Sequence, residues 1–208
     1  MPTTRLLLLG VVRIFQPAYG YQLRRELMTW NVQEWANINP GSIYTGLRTL
    51  AKHGFLLEIE EGDGRKPGRT SYKLTSDGET EYISLLRTAL WRVQPFHPDQ
   101  MQVALNFLHD LQRDEVQAGL EARISQLEQY VKQGRFTERQ VLESPGTPDF
   151  VVEMQRITQA RTRGELDWTR DFAERIGKGE YSFAGEPPGW QPPEGYVSHW
   201  TIDRRPGD

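Results

Sequence analysis

Apolar positions along the chain divide it into two stretches of different character. Leu6 to Val12 form a nearly unbroken apolar run, interrupted only by Gly10. It predicts a buried first helix over Thr3–Phe15, ended by Pro17. Leu23 and Leu27, four apart, predict a second helix over Tyr21–Trp30. A polar loop from Asn31 to Ile38 leads into the best-defined segment, Asn39–Gly54. There Asn39 suits the N-cap, Pro40 the first helical position, and Gly54 the stop. Ile43, Leu47 and Leu50 fall at i, i+4 and i+7 on one face, while Ser42, Thr45, Arg48, Thr49 and Lys52 occupy the opposite one. Phe55–Glu60 and Thr70–Leu74 read as strands joined by a Gly/Pro hairpin over 61–69. Thr75 or Ser76 then caps a helix running to about Trp91.

Beyond Pro95 and Pro98 the pattern changes. Asp99 can cap a helix reaching Leu111. Val116, Leu120, Ile124, Leu127 and Val131 follow at intervals of four, four, three and four. This is a narrow heptad-like seam suited to helix–helix pairing, with Gly134 as its end. Met154, Ile157, Arg161, Trp168, Phe172 and Ile176 trace a further long stripe. From Gly177 onward the chain is rich in Gly and Pro with isolated aromatics (Tyr181, Phe183, Trp190, Tyr196, Trp200), as in a tail or extended arm.

Charge sharpens this division. The 208 residues carry 25 Lys+Arg against 28 Asp+Glu, a net −3. Residues 1–90 hold 11 basic and 9 acidic groups, about +2, leaving 14 against 19 for the remainder, about −5. A capped helix with a polar-basic face, followed by a hairpin bearing Arg65, Lys66 and Arg69, reads as a recognition helix and its wing. Ser42, Thr45 and Arg48 would stand nearest DNA. Arg48 alone is long enough for a bidentate contact to guanine. The bland alternatives are a solvated helix face, a Tyr44 packed beside Ile43, and an ordinary solvated hairpin.

Other chemistries find little support. There is no cysteine, which excludes disulfides and thiolate zinc sites and fits a reducing cytoplasm. His53, His97, His109 and His199 lack metal-type spacing. No Gly-x-Ser-x-Gly elbow occurs. Gly62, Gly64 and Gly68 precede a strand and lack the Gly-Lys-Ser/Thr that a phosphate-cradling loop needs. Glu58, Glu60 and Glu61 read as a solvated strand edge. Neither catalytic residues, nor a metal, nor a cofactor is expected. The Leu6–Val12 run is too short to span a bilayer and carries no cleavage pattern, so no membrane association is expected.

The order Gly20-Tyr21-Gln22-Leu23, Gly41-Ser42-Ile43-Tyr44-x-x-Leu47-x-x-Leu50-x-x-x-Gly54-Phe55-Leu56, Gly64-Arg65-Lys66-Pro67 and Tyr72-Lys73-Leu74-Thr75-x-x-Gly78 resembles the PadR-like transcriptional regulators of bacteria across roughly residues 5–90. The C-terminal part is similar to the helical dimerisation domain of the larger subgroup. The resemblance implies a mainly α protein with a small β-wing. Residues 1–92 would be a winged helix-turn-helix DNA-binding domain, 93–178 a helical dimerisation and effector domain, and 179–208 a Gly/Pro/aromatic-rich tail. It further implies a cytoplasmic homodimeric repressor on double-stranded DNA, with a small aromatic molecule as effector in some members. Under this reading Tyr21, Ser42, Tyr44, Thr45, Arg48, Lys52, Arg65, Lys66 and Arg69 meet DNA. Trp91 and Phe96 meet a ligand, and Leu120, Ile124, Leu127, Val131, Trp168 and Phe172 meet the second subunit. The rival reading is a winged-helix module for protein interaction or ligand binding without DNA, kept open by the modest charge of the N-terminal part.

Overall fold

In the computed structural model the chain is described over residues 2–36, 38–61, 69–95, 99–144, 146, 148 and 150–187. It is mainly helical, with one three-stranded antiparallel sheet, and divides into two compact units at Leu85/Leu86, inside a helix.

In the first unit α1 (Pro2–Phe15) is the central helix: Leu6, Leu7, Leu8, Leu9, Val11 and Val12 are all buried. A side chain of that size, fully buried, contributes roughly 1.5–3 kcal/mol. α2 (Gly20–Thr29) and α4 (Pro40–Lys52) cover it through Leu23, Leu27, Ile43, Leu47 and Leu50. The expected polar loop between them contains a four-residue helix, α3 (Val32–Trp35), with Val32 buried and Trp35 Nε1 donating to the Trp30 carbonyl at 2.7 Å. Asn31, in left-handed geometry (φ 53°), turns the chain between α2 and α3. β2 (Leu56–Glu61) and β3 (Arg69–Leu74) pair with Leu56 opposite Leu74 and Glu58 opposite Tyr72. A two-residue strand, β1 (Ala18–Tyr19), adds to the other edge of β3. Thr75 starts α5 (Ser76–Trp91) by accepting from Gly78 N at 3.0 Å and donating to the Gly54 carbonyl at 2.6 Å.

The second unit (Leu86–Glu186) begins with the end of α5. The helix expected from Asp99 to Leu111 is shorter: α6 (Asp99–Leu105) gives way to a 3-10 turn at Leu108–Asp110. α7 (Arg113–Glu143) and α8 (Phe150–Gly177) form an antiparallel hairpin, as cross-links at 123–165, 130–159 and 138–156 show.

Two expectations are corrected here, the Gly134 stop and the α8 stripe. Gly134 does not end α7, which continues through it. A Cβ at that position would lie 1.2 Å from Gln159 Nε2, so Gly134 makes room for a side chain of α8. Residues of the α7 seam also pack within the chain. Leu127 packs with Val93 and Leu166, Ile124 and Val131 lie partly buried against them, and Leu120 is completely enclosed. Trp168 and Phe172 stack on each other at 5.2 Å, with Phe172 buried. Finally, Met154 and Ile157 do not share the buried stripe of α8. That stripe is Val152, Gln159, Thr162, Leu166, Thr169, Phe172 and Ile176.

The first residues of the expected tail also belong to this unit. Arg113 donates to Glu186 (2.7 and 2.8 Å), to the Ile176 carbonyl (2.6 Å) and to the Tyr181 carbonyl, and its guanidinium covers the buried Phe183 ring. The hydrogen bond from Arg113 holds the Glu186 carboxyl below its ordinary value, so this strap keeps its ion pair at neutral pH. Among the described residues no helix is long and apolar enough to cross a membrane.

Candidate nucleic-acid interface

The polar face of α4 is built from the cap onward. Asn39 Oδ1 accepts from Gly41 N at 3.0 Å, and the Asn39 carbonyl accepts from both Ser42 N (2.9 Å) and Ser42 Oγ (2.7 Å). Thr49 Oγ1 donates back to the Thr45 carbonyl at 2.8 Å. With Ile43, Leu47 and Leu50 inward, Ser42, Tyr44, Thr45, Arg48, Thr49 and Lys52 are all exposed. The hydroxyl proton of Ser42 is engaged by its own cap, which leaves the oxygen as an acceptor. Arg48 is the long donor on this face.

Beside α4 lies a shallow groove of about 400 Å³, walled by four tyrosines and two arginines. Tyr19 and Tyr21 stack at 5.7 Å with rings 10° from parallel. Gly20, between them, faces the Tyr44 ring so closely that a Cβ there would lie 3.2 Å from Tyr44 Cε1. Tyr72, buried on β3, forms the back wall, and Thr70 and Arg69 continue along the same strand. Arg48 closes the groove from α4. Burial raises the Tyr72 phenol above its ordinary pKa. The carboxylate of Glu58, opposite it on β2, raises it further, and Arg48 works against both. Tyr72 therefore remains neutral at neutral pH.

Of the residues expected to meet DNA, the structure gathers Tyr21, Tyr44, Arg48 and Arg69 around one groove, with Ser42, Thr45 and Lys52 exposed on the same helix as Tyr44 and Arg48. Arg65 and Lys66 lie outside the described residues, as does Phe96. Trp91 ends α5 in the second unit, 38% exposed, its carbonyl accepting from Gln126 Nε2 at 2.9 Å. Sequence reasoning missed Tyr19, Thr70 and Tyr72. Tyr19 and Tyr21 flanking Gly20 were a local signal. Tyr72 carried none, because strand alternation places it in the core.

Helices α1, α2 and α4 closed by a three-stranded sheet, with the N-capped polar α4 leading into the β2–β3 hairpin, define a winged helix-turn-helix domain. Residues 8–83 match the model of the transcriptional regulator PadR-like family. Among solved structures the chain is similar to Bacillus subtilis PadR in complex with operator DNA, at 20% identity over 83% of this chain and 98% of that one, TM-score 0.36. The same protein in complex with p-coumaric acid matches at 17% identity, covering 84% and 97%, TM-score 0.34. The PadR-like regulator BC1756 from Bacillus cereus matches at 16%, covering 83% and 94%, TM-score 0.35. At these scores the likeness carries no further argument. No curated protein matches the chain.

Proposed function

We propose that this protein is a transcriptional regulator of the PadR-like family, a homodimeric repressor whose α4 enters the major groove of a pseudo-palindromic operator. The observation that carries the reading is the exposed polar face of α4, with Arg48 at the mouth of a groove that also holds Arg69. Two such helices in one dimer would meet half-sites about 34–36 Å apart. Besides the seam, a second apolar surface is open to the second subunit. Phe150, Met154 and Ile157 stand at i, i+4 and i+7 on α8, 85%, 69% and 53% exposed, and Phe136 and Leu142 of α7 are exposed as well. Apolar side chains grouped at helical spacing on one element support a protein interface. Light scattering at micromolar concentration should give twice the 24.1 kDa chain mass. Charged substitutions at Met154 and Ile157 should shift it to the monomer, and a wild-type monomer would overturn the dimer.

Release by a small aromatic ligand completes the reading, with the exposed face of Trp91 as a stacking surface. Such a ligand would act by binding one arrangement of the dimer better than another. The test is binding of the purified protein to its own upstream DNA and to random duplex at two salt concentrations, with and without phenolic acids. A preference of ~10³-fold or more that weakens with salt supports a specific repressor. Replacing Arg65 and Lys66 with Ala should weaken binding on both duplexes and reduce the salt slope by about 2. Arg48→Ala should relax preference at one operator position. If both changes leave DNA affinity intact, the winged helix serves another partner.

A further inference from the structure

An outward stripe of α7 carries charges in an order that a single helix leaves unsatisfied. It runs through positions 118, 121, 125, 128, 132, 135, 139 and 142, at alternating intervals of three and four. Every position is exposed except Glu128, which is half-buried. Glu121, Lys132, Arg135 and Arg139 make no ion pair among the described residues, while Glu128 takes Arg170 at 2.7 Å. A solvated helix face interleaves opposite charges at i, i+4, because like charges at that spacing repel. This stripe instead keeps its acids in the first half and its bases in the second. Glu128 and Lys132 are its single opposite pair at that spacing, and Arg135 and Arg139 stand four apart.

The segregation is symmetric about residue 130, so the stripe complements itself when two copies run antiparallel across a two-fold axis there. Glu121 then meets Arg139 of the second copy, and Glu128 meets Lys132. Ser125 donates its hydroxyl proton to the Glu121 carbonyl at 3.2 Å, which leaves an oxygen to accept from Arg135 of the second copy. Leu142, 61% exposed, meets Ala118 at each end. A two-fold contact makes every such pair twice, whereas parallel pairing would set like against like. We propose that the outward stripe of α7 pairs antiparallel with the same stripe of a second copy, and that two dimers join through it. The joining of dimers rests on the homodimer reading above, but the contact uses none of the exposed apolar positions of α8. It holds by exposed charge with little apolar burial, so it is weak in solution and sensitive to salt.

The experiment follows sedimentation of the full-length protein as its concentration rises from the micromolar range at low salt. The weight-average mass should climb from two chains toward four, and fall back when salt is added. Glu121→Arg and Arg139→Glu each set like charges against each other twice per contact, and each should weaken this step about tenfold. Glu121→Arg/Arg139→Glu keeps the wild-type net charge and should restore it. An equimolar mixture of the two single variants should restore it as well, because opposite charges meet again at both places. Both positions are exposed, so the fold is retained, and thermal unfolding checks this. If the wild type stays a dimer throughout, if the single variants associate as it does, or if the mixture recovers nothing, the pairing is overturned and the homodimer stands. A wild type that is monomeric at micromolar concentration overturns the homodimer instead. The α7 contact then stands if the same charge exchange controls the step from one chain to two, and falls if it does not.

Discussion

Replacing Gly78 with Ala should destabilise the first unit by about 3 kcal/mol. A Cβ on Gly78 would meet the Phe55 carbonyl oxygen at 2.0 Å, its carbonyl carbon at 3.0 Å and Leu74 Cδ2 at 3.2 Å. The obstacle is backbone, and it is anchored on both sides. Phe55 N donates to the Leu50 carbonyl at 3.0 Å, and Phe55 O accepts from Thr75 N at 3.1 Å. Intrinsic helix preference points the other way, since Ala is better than Gly by about 1 kcal/mol inside a helix. An overlap of this size with fixed backbone outweighs it. The corner joins the end of α4, the start of β2 and the start of α5, so DNA affinity should fall with stability. Hydrogen exchange in the full-length protein separates the units. Amides of Leu6–Val12 should lose protection while those at the centre of α7 keep theirs. A variant as stable as the wild type would mean that the corner yields without cost.

What could be read from the chain depended on whether its cause was local. The Asn39-Pro40 cap and the Ile43/Leu47/Leu50 spacing are local, and α4 begins and ends within a residue or two of expectation. Gly54, at φ 79°, is the stop its position suggested. β1 could not be read, because two residues have no period and their pairing with Tyr72 and Ser71 is set over fifty positions away. Gly134 is the converse case. A local stop signal was overridden by a neighbouring helix that fills the space of the missing side chain. The heptad-like seam correctly announced a partner helix, but nothing in its spacing says whether that helix belongs to the same chain. Arg113 and Glu186, 73 residues apart, give no sequence sign of meeting. In the candidate interface, Arg48 was legible from its helix face. The groove itself was not, because it exists only once β1 has brought Tyr19 alongside β3.

The buried Arg123–Glu165 pair should give the largest single-residue effect in the second unit. Arg123 is 2% exposed, and its Nη1 points to the carbonyl oxygens of Ala89, Leu90 and Arg92 at 3.3, 3.4 and 3.1 Å. Its Nη2 pairs with the Glu165 carboxylate. Those carbonyls lie at the end of α5, where they lack intrahelical donors and form the negative end of the helix dipole. One guanidinium thus links α5, α7 and α8. Glu165→Leu leaves that cation buried with only neutral carbonyls and should cost about 3–5 kcal/mol. Arg123→Met is expected to cost less. Glu165 keeps 19% of its side chain in solvent, so the remaining carboxylate can hydrate, although three carbonyls lose a donor. The double variant should be more stable than Glu165→Leu alone, because the uncompensated charge is gone. Arg123→Lys should not rescue, since a single ammonium cannot reach both the carbonyls and Glu165 with the geometry of the planar fork. The exposed pair Arg170–Glu128 supplies the control: with both partners at least 40% exposed, its loss should cost about 0–1 kcal/mol. Urea unfolding of all five variants, followed by hydrogen exchange in α7, tests the ordering. If Glu165→Leu costs no more than Arg170→Ala, burial adds nothing to this pair, and α5 is held by apolar packing alone.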